Sequence, residues 1–169
     1  MLCSSYLNML DLWVKFSLVS GFALNKGIHL DYTQAANSVC TVSSQNFPGQ
    51  HSFDLHNIPE RQRDWADHLR GTAISLSRHN HLTKGISATI RGELPIGGLS
   101  SSAAVIIAFL TALSNVNDIQ LSPSKLIDAA LWAENGYVGV SCGKLDQSCE
   151  VYRQKDHLLF LDTKDDSYQ

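Results

Sequence analysis

Charged side chains are scarce in this chain of 169 residues, at 17% of the sequence, whereas hydrophobic residues reach 44%. Such a composition buries enough apolar surface to fold, so it excludes a disordered protein. The formal net charge is −3. A nucleic-acid partner is not expected, because binding to phosphate backbones requires a basic surface. The length predicts one domain of ordinary size.

Cysteine is also rare, and no Cys-x-x-Cys pair occurs. The scattered cysteines are Cys3, Cys40, Cys142 and Cys149. This spacing fits neither a zinc site nor a disulfide framework, so we expect reduced thiols of a cytoplasmic protein. For Cys142 we expect packing among small buried residues rather than a role as a nucleophile.

Long apolar runs are missing as well. The apolar stretch 103–113 is about half the length that spans a bilayer. Residues 1–24 lack the basic start of a signal peptide, and Asp11 and Lys15 interrupt their apolar character. We therefore expect no membrane partner.

The sequence does contain a mixture of strand and helix patterns. Strands are expected over 21–30, 38–45, 85–91 and 158–161. Spacings of three and four predict a helix over 61–77, a continuous apolar run predicts one over 101–115, and start signals predict a third over 122–134. In the last helix, Ser122 is the expected N-cap and Pro123 the first helical residue, whereas 45–58 is rich in turn residues. Since strands and helices do not alternate regularly, the fold class predicted is α+β, with sheet and helices in two layers.

The run Pro95-Ile96-Gly97-Gly98-Leu99-Ser100-Ser101-Ser102-Ala103-Ala104 lies between a predicted strand and an apolar helix. Glycine lets the backbone approach a phosphate closely, and free N–H groups at a helix start attract anions. Serine hydroxyls add donors to phosphate or a ligand for Mg²⁺. No Lys follows the glycines, so the run is not a Walker-type loop. Two interpretations stay open, a phosphate-binding loop and a Gly/Ser turn that caps a helix.

Two carboxylates are candidates for the chemistry. Glu134 shares a predicted helix face with Ile127 and Leu131. A carboxylate at the end of an apolar stripe needs a partner such as Mg²⁺, unless the helix end leaves it half in solvent. Asp146 is either the N-cap of a further helix or a base that orients a hydroxyl toward a γ-phosphate. Spacing alone leaves these alternatives open.

Taken together, residues 21–162 resemble the N-terminal half of GHMP kinases of the galactokinase branch. The run 95–104 resembles the second motif of that family. The segments Ala133-Glu134-Asn135 and Cys142-Gly143-Lys144-Leu145-Asp146-Gln147 resemble its Ala-Glu-Asn and Cys-Gly-x-x-Asp-Gln pair. The spacing of Trp65-x-x-x-x-Arg70-Gly71 resembles the Trp-bearing helix that precedes the ATP loop. The resemblance implies a two-layer domain of the ribosomal protein S5 domain 2-like type.

The resemblance also implies an ATP-dependent sugar 1-kinase. Such an enzyme transfers phosphoryl from Mg-ATP to the anomeric hydroxyl of galactose or a related sugar. By this likeness Asp146 is the catalytic residue, and Ser102 and Glu134 are the Mg²⁺ ligands. The ATP-binding residues implied are Trp65, Gly97, Gly98, Leu99, Ser100, Ser101 and Ser102. The partners implied are ATP and a small sugar.

The sequence departs from the family pattern near both ends. The early sugar-binding motif Arg-x-Asn-Leu-Ile-Gly-Glu-His-x-Asp-Tyr is not found, and residues 1–20 form an atypical segment in its place. We expect 21–169 to be the N-terminal domain and the C-terminal domain to be absent. A uronic acid 1-kinase of the galacturonokinase type, which shares Asn25-Lys26-Gly27, is one alternative. A truncated non-catalytic nucleotide-binding fragment and a plain α+β interaction domain are the others.

Overall fold

A computed structural model of the chain describes residues 3–5, 18–23, 27–93, 100–165 and 167–169. The strands are β1 (Cys3–Ser5), β2 (Leu18–Ala23), β3 (Ile28–Gln34), β4 (Val39–Ser44), β5 (Gln50–Asp54), β6 (Ile86–Gly92) and β7 (Leu159–Asp162). The helices are α1 (Asp67–Ser77), α2 (Ser101–Val116), α3 (Pro123–Trp132) and α4 (Leu145–Tyr152), with a π-helical segment, Ala133–Val138, after α3. Within these ranges, every helix is too short or too polar to cross a membrane.

The larger sheet has the strand order β3-β6-β4-β5. Strand β6 is antiparallel to β3 and parallel to β4, while β4 is antiparallel to β5. On β6, Ile86, Ala88 and Ile90 are buried, whereas Ser87 and Arg91 are exposed, as the alternation predicts. The buried face joins α1 and α2 in one core cluster, so the sheet and the helices form the two layers of an α+β fold.

A smaller antiparallel sheet, with the order β1-β2-β7, contacts α4 and has its own core. That core contains Leu145, Cys149, Leu159 and Leu161. Cys40 and Cys142 are free thiols, but Cys149 is disulfide-bonded, so the expectation of four reduced cysteines is wrong. A disulfide depends on how distant elements pack, which spacing along the chain does not reveal.

Three element predictions within residues 21–77 differ from the structure. Helix α1 begins at Asp67 rather than near residue 61, because Asp64 and Asp67 accept hydrogen bonds from backbone N–H groups of residues 62, 63 and 66 and hold a turn there. The turn-rich segment 45–58 contains strand β5, in which only Phe53 is buried. In the segment 21–30, residues 21–23 belong to β2 and residues 28–30 to β3, so the segment is not one strand.

Candidate active site

A cavity of about 560 Å³ lies between the larger sheet and the starts of α1, α2 and α4. The predicted site residues that the structure describes all line it, namely Trp65, Ser100, Ser101, Ser102, Glu134 and Asp146. Gly97, Gly98 and Leu99 lie outside the described residues. The serines and carboxylates form the polar end of the cavity. Its aromatic end contains Phe47 and Trp65.

The start of α2 contributes the serines of the polar end. Helix α2 begins at Ser101, as predicted, and Ser100 is its N-cap residue with φ 54°. This left-handed conformation is strained for a residue with a side chain. The Ser100 side chain makes no capping bond and instead forms a hydrogen bond with Asp146. Because the first N–H groups of a helix lack intrahelical partners, this end of α2 can receive an anion.

Glu134 is carried by the π-helical segment. Helix α3 begins as predicted, with the Ser122 hydroxyl accepting a hydrogen bond from the Lys125 N–H at 3.4 Å, but it ends at Trp132. Single π-helical turns are rare and occur frequently at functional sites. The Glu134 side chain belongs to a residue only 3% exposed. The interpretation of a helix end half in solvent is therefore wrong.

Both carboxylate oxygens of Glu134 are held by other side chains. The Ser102 hydroxyl donates to Oε1, and the Gln147 amide donates to Oε2 at 2.6 Å. The two residues that the family likeness implies as Mg²⁺ ligands are thus in direct contact. In the sequence, Gln147 was identified only as part of the Cys-Gly-x-x-Asp-Gln motif. The contact between Gln147 and Glu134 depends on how α4 packs against the other helices, and sequence spacing did not indicate that packing.

Asn135 fixes the loop that leads from the π-helical segment to α4. Its side-chain amide donates to the Cys142 carbonyl at 3.1 Å, and its Oδ1 accepts from the Cys142 N–H at 3.0 Å. Cys142 is half-buried at the cavity wall, and its Sγ donates to the same Oδ1 at 3.2 Å. Burial, reinforced by the charge of Glu134, raises the pKa of the Cys142 thiol to about 11. A thiol that stays protonated is a poor nucleophile.

Asp146 lies in the first turn of α4, whose N-cap is Lys144. The interpretation of Asp146 as an N-cap is therefore wrong. Burial raises the pKa of Asp146, the charge of Glu134 adds to this, and the hydrogen bond with Ser100 opposes it. Raising the pKa of a carboxylate toward neutral pH makes it a better proton acceptor. One helical turn further along, burial raises the pKa of Glu150 to about 7.

The aromatic end of the cavity is built around Trp65. The Trp65 ring stacks on Phe47 with 6.2 Å between centroids and meets His51 edge-on at 5.0 Å. Behind it, Arg70 forms ion pairs of 2.7 Å with both Asp64 and Asp67. The spacing of three between Asp67 and Arg70 was a signal for one of these pairs. Arg70 is only 5% exposed, so this network supports the start of α1 from within the core.

Gly71 lies where α1 approaches the π-helical segment. A Cβ atom at Gly71 would lie 3.1 Å from the carbonyl oxygen of Ala133 and 3.2 Å from Tyr137. Glycine therefore lets α1 approach the segment that carries Glu134. The Tyr137 hydroxyl in turn donates to the Pro59 carbonyl at 2.7 Å. The close approach explains why glycine stands at position 71, and the ion pairs with Asp64 and Asp67 explain the arginine before it.

The family described as "GHMP kinases N terminal domain" matches residues 67–154, more than half of the chain. The chain belongs to the GHMP kinase family. It is 35% identical over 127 residues to a galactokinase of Pyrococcus furiosus, covering 75% of this chain and 36% of that protein. It is 32% identical over 166 residues to a galacturonokinase of Arabidopsis thaliana, covering 86% of this chain and 39% of that protein.

The solved structure of Lactococcus lactis galactokinase complexed with galactose has the same fold. Its TM-score is 0.86 at 25% identity, over 90% of this chain and 40% of that one. The family and the fold class predicted from the sequence are thereby confirmed. The chain spans about two fifths of the length of these relatives.

Proposed function

We propose that this GHMP kinase chain is the nucleotide-binding part of an ATP-dependent sugar 1-kinase of the galactokinase type. The observation that carries the proposal is the convergence of Ser102, Glu134 and Asp146, from three different elements, on one end of the cavity. The matched galactokinase and galacturonokinase support a sugar substrate. We place its action in the cytoplasm, where ATP is supplied.

The two ends of the cavity suit the two ends of ATP. The phosphates would lie at the start of α2, where Ser100, Ser101 and Ser102 offer hydroxyl donors beside the helix N-terminus. By family resemblance, Gly97, Gly98 and Leu99 would complete that phosphate loop. The aromatic end, with Trp65 and Phe47, offers a flat apolar surface of the kind on which bases stack.

The polar end also fits Mg²⁺. A serine hydroxyl and a carboxylate are the hard oxygen donors that Mg²⁺ prefers, and those of Ser102 and Glu134 already touch. No group of three or more His, Cys, Asp or Glu side chains gathers in the part of the chain that the structure describes. This suits an ion held mainly by phosphates and water, with few protein ligands. Bound there, Mg²⁺ would neutralise charge on the β- and γ-phosphates.

Asp146 serves as the proton acceptor in this proposal. As the anomeric oxygen of the sugar bonds to the γ-phosphorus, its proton passes to the Asp146 carboxylate. The bond between the γ-phosphorus and the β,γ-bridging oxygen breaks, and ADP leaves. The raised pKa of Asp146 supports this role, and the hydrogen bond with Ser100 orients the carboxylate.

A uronic acid such as galacturonate is the second candidate substrate. The alignment with the Arabidopsis galacturonokinase covers 86% of this chain, against 75% for the Pyrococcus galactokinase. The two sugars differ by a carboxylate, so the enzymes would differ in the residues that receive that charge. A nucleotide-binding fragment without turnover is the third possibility.

Calorimetric titration of Mg-ATP into the purified chain, followed by phosphorylation assays with galactose and with galacturonate, tests the proposal. We expect Mg-ATP binding, and turnover with one sugar in preference to the other. Asp146→Asn should lower that turnover by about 10²- to 10⁴-fold, because it removes the proton acceptor. Asp128→Asn, an exposed carboxylate of α3, is the matched control and should change nothing.

Each outcome has a separate meaning. Absence of Mg-ATP binding contradicts the nucleotide site. Binding without turnover of either sugar favours the non-catalytic fragment. Turnover that survives Asp146→Asn shows that Asp146 is not the proton acceptor.

A further inference from the structure

Gln147 stands out because it is a fully buried polar residue whose amide oxygen has no hydrogen-bond partner among the described residues. Its residue exposure is 0%, its Nε2 donates to Glu134 Oε2 at 2.6 Å, and the same nitrogen lies 3.6 Å from Cys142 Sγ. Among the described residues, no group donates to its buried Oε1. The amide therefore uses its donor on Glu134 and leaves its own acceptor unsatisfied.

The orientation of this amide follows from electrostatics. Turning it over would place Gln147 Oε1 against Glu134 Oε2, two acceptors facing each other in a buried site. An apolar side chain of similar size would avoid the unsatisfied oxygen, but it would leave the buried Glu134 Oε2 without this donor, which costs stability. Gln147 therefore holds one oxygen of the Glu134 carboxylate and leaves its own acceptor unsatisfied.

We propose that Gln147 restricts Glu134 to one metal-facing oxygen and so favours Mg²⁺ over Ca²⁺; the inference rests on the proposed nucleotide function. Gln147 turns Oε2 toward itself, so Oε1 is the oxygen that lies beside the Ser102 hydroxyl, the other proposed ligand, and an ion shared by Ser102 and Glu134 would meet Oε1. Mg²⁺ accepts single oxygens in a strict octahedron, whereas Ca²⁺ takes more oxygens and commonly binds both oxygens of a carboxylate. Gln147 is then a positioning residue that determines ion specificity.

The test measures ATP affinity of the full chain by calorimetry in the presence of Mg²⁺, of Ca²⁺ and of neither ion. Gln147→Met keeps a similar side-chain volume and removes the donor. Loss of a partner that orients a metal ligand typically lowers metal affinity about 10- to 100-fold. We expect Mg²⁺-supported binding to fall by that factor and Ca²⁺-supported binding to fall less, so that the Mg²⁺/Ca²⁺ affinity ratio drops.

Two further variants keep the inference open to refutation. Gln147→Glu preserves the shape but places a second carboxylate beside Glu134, so it should also lower the Mg²⁺/Ca²⁺ affinity ratio. This variant replaces Gln147→Met in the test if Gln147→Met does not fold. Gln120→Leu, at an exposed position, is the matched control and should keep the wild-type ratio. Circular dichroism of each variant verifies that the fold is intact.

The failures can be told apart. If the wild-type chain binds no ATP with either ion, the proposed function fails. If the wild type binds ATP without preferring Mg²⁺, or if folded Gln147 variants keep its preference, the nucleotide site stands and the role of Gln147 is refuted.

Discussion

The two ends of the cavity are stabilised in different ways. At the polar end, the side chains proposed to act on the phosphates hold one another, because Ser102 and Gln147 both donate to Glu134. At the aromatic end, Trp65 faces the cavity while the ion pairs of Arg70 lie behind it and do not line the cavity. A mutation at the polar end therefore changes binding and stability together, whereas the aromatic end allows the two to be separated.

Removing Arg70 should have the largest effect on stability. Arg70→Leu leaves Asp64 and Asp67 without their cation, and Asp67 is only 2% exposed. Breaking a buried ion pair from one side typically costs about 3–5 kcal/mol. We expect the free energy of unfolding, measured with urea, to fall by this amount, with the remaining folded protein still binding Mg-ATP.

Lys84→Leu is the matched control for Arg70→Leu. Its partner Asp118 lies 3.1 Å away, but the two side chains are 39% and 83% exposed. Exposed pairs contribute about 0–1 kcal/mol. Equal losses for the two variants would show that the Arg70 network does not stabilise the start of α1 more than a surface pair does.

Local chemistry made some of this structure predictable from the sequence. Ser122 followed by Pro123 determined where α3 begins, and the change from Gly and Ser to an apolar run determined the start of α2. The contact between Ser102 and Glu134, 32 positions apart, was reached only through the family motif. No local rule indicates such a pair, because it requires the packing of α2 against the π-helical segment.

The features that the sequence did not indicate depend on tertiary contacts. After Trp132 the chain changes from α3 to the π-helical segment, and the helix propensities of residues 133–138 do not indicate this change. The pair of Asp64 with Arg70 joins a turn to a helix across six positions, outside any helical spacing. Strand β5 escaped prediction because pairing with β4, rather than apolar alternation, holds it in the sheet.

A side chain at Gly71 should have a smaller effect that reaches both ends of the cavity. Gly71→Ala brings a methyl group to 3.1 Å from the Ala133 carbonyl oxygen, so α1 and the π-helical segment must separate slightly. Overpacking costs about 1–3 kcal/mol, against a gain of about 1 kcal/mol in helix propensity. We expect a net loss of about 1 kcal/mol and weaker Mg-ATP binding, because Glu134 follows Ala133 directly.

Gly143→Ala provides the comparison for Gly71→Ala. A Cβ atom at Gly143 would meet nothing within 4 Å, so its effect on unfolding free energy should stay within about 0.5 kcal/mol. Urea unfolding and calorimetry on both variants make the measurement. If Gly71→Ala is as stable and binds Mg-ATP as tightly as Gly143→Ala, the close approach of α1 does not position Glu134.

The smallest effect on stability is expected from Asp146→Asn. This substitution should raise the free energy of unfolding although it lowers turnover. Folding raises the pKa of Asp146 above the ordinary value of 3.8, chiefly by burial. The folded state therefore prefers the protonated form, and the wild type loses stability as the pH rises from about 4 through the raised pKa. Asp146→Asn removes this titration, so its urea midpoint should exceed that of the wild type at pH 8 and approach it near pH 4. A constant difference between pH 4 and 8 would contradict this account.

An increase in stability together with the loss of turnover would show that the polar end keeps the Asp146 carboxylate at the expense of fold stability. The Arg70 network at the aromatic end, in contrast, stabilises the fold itself.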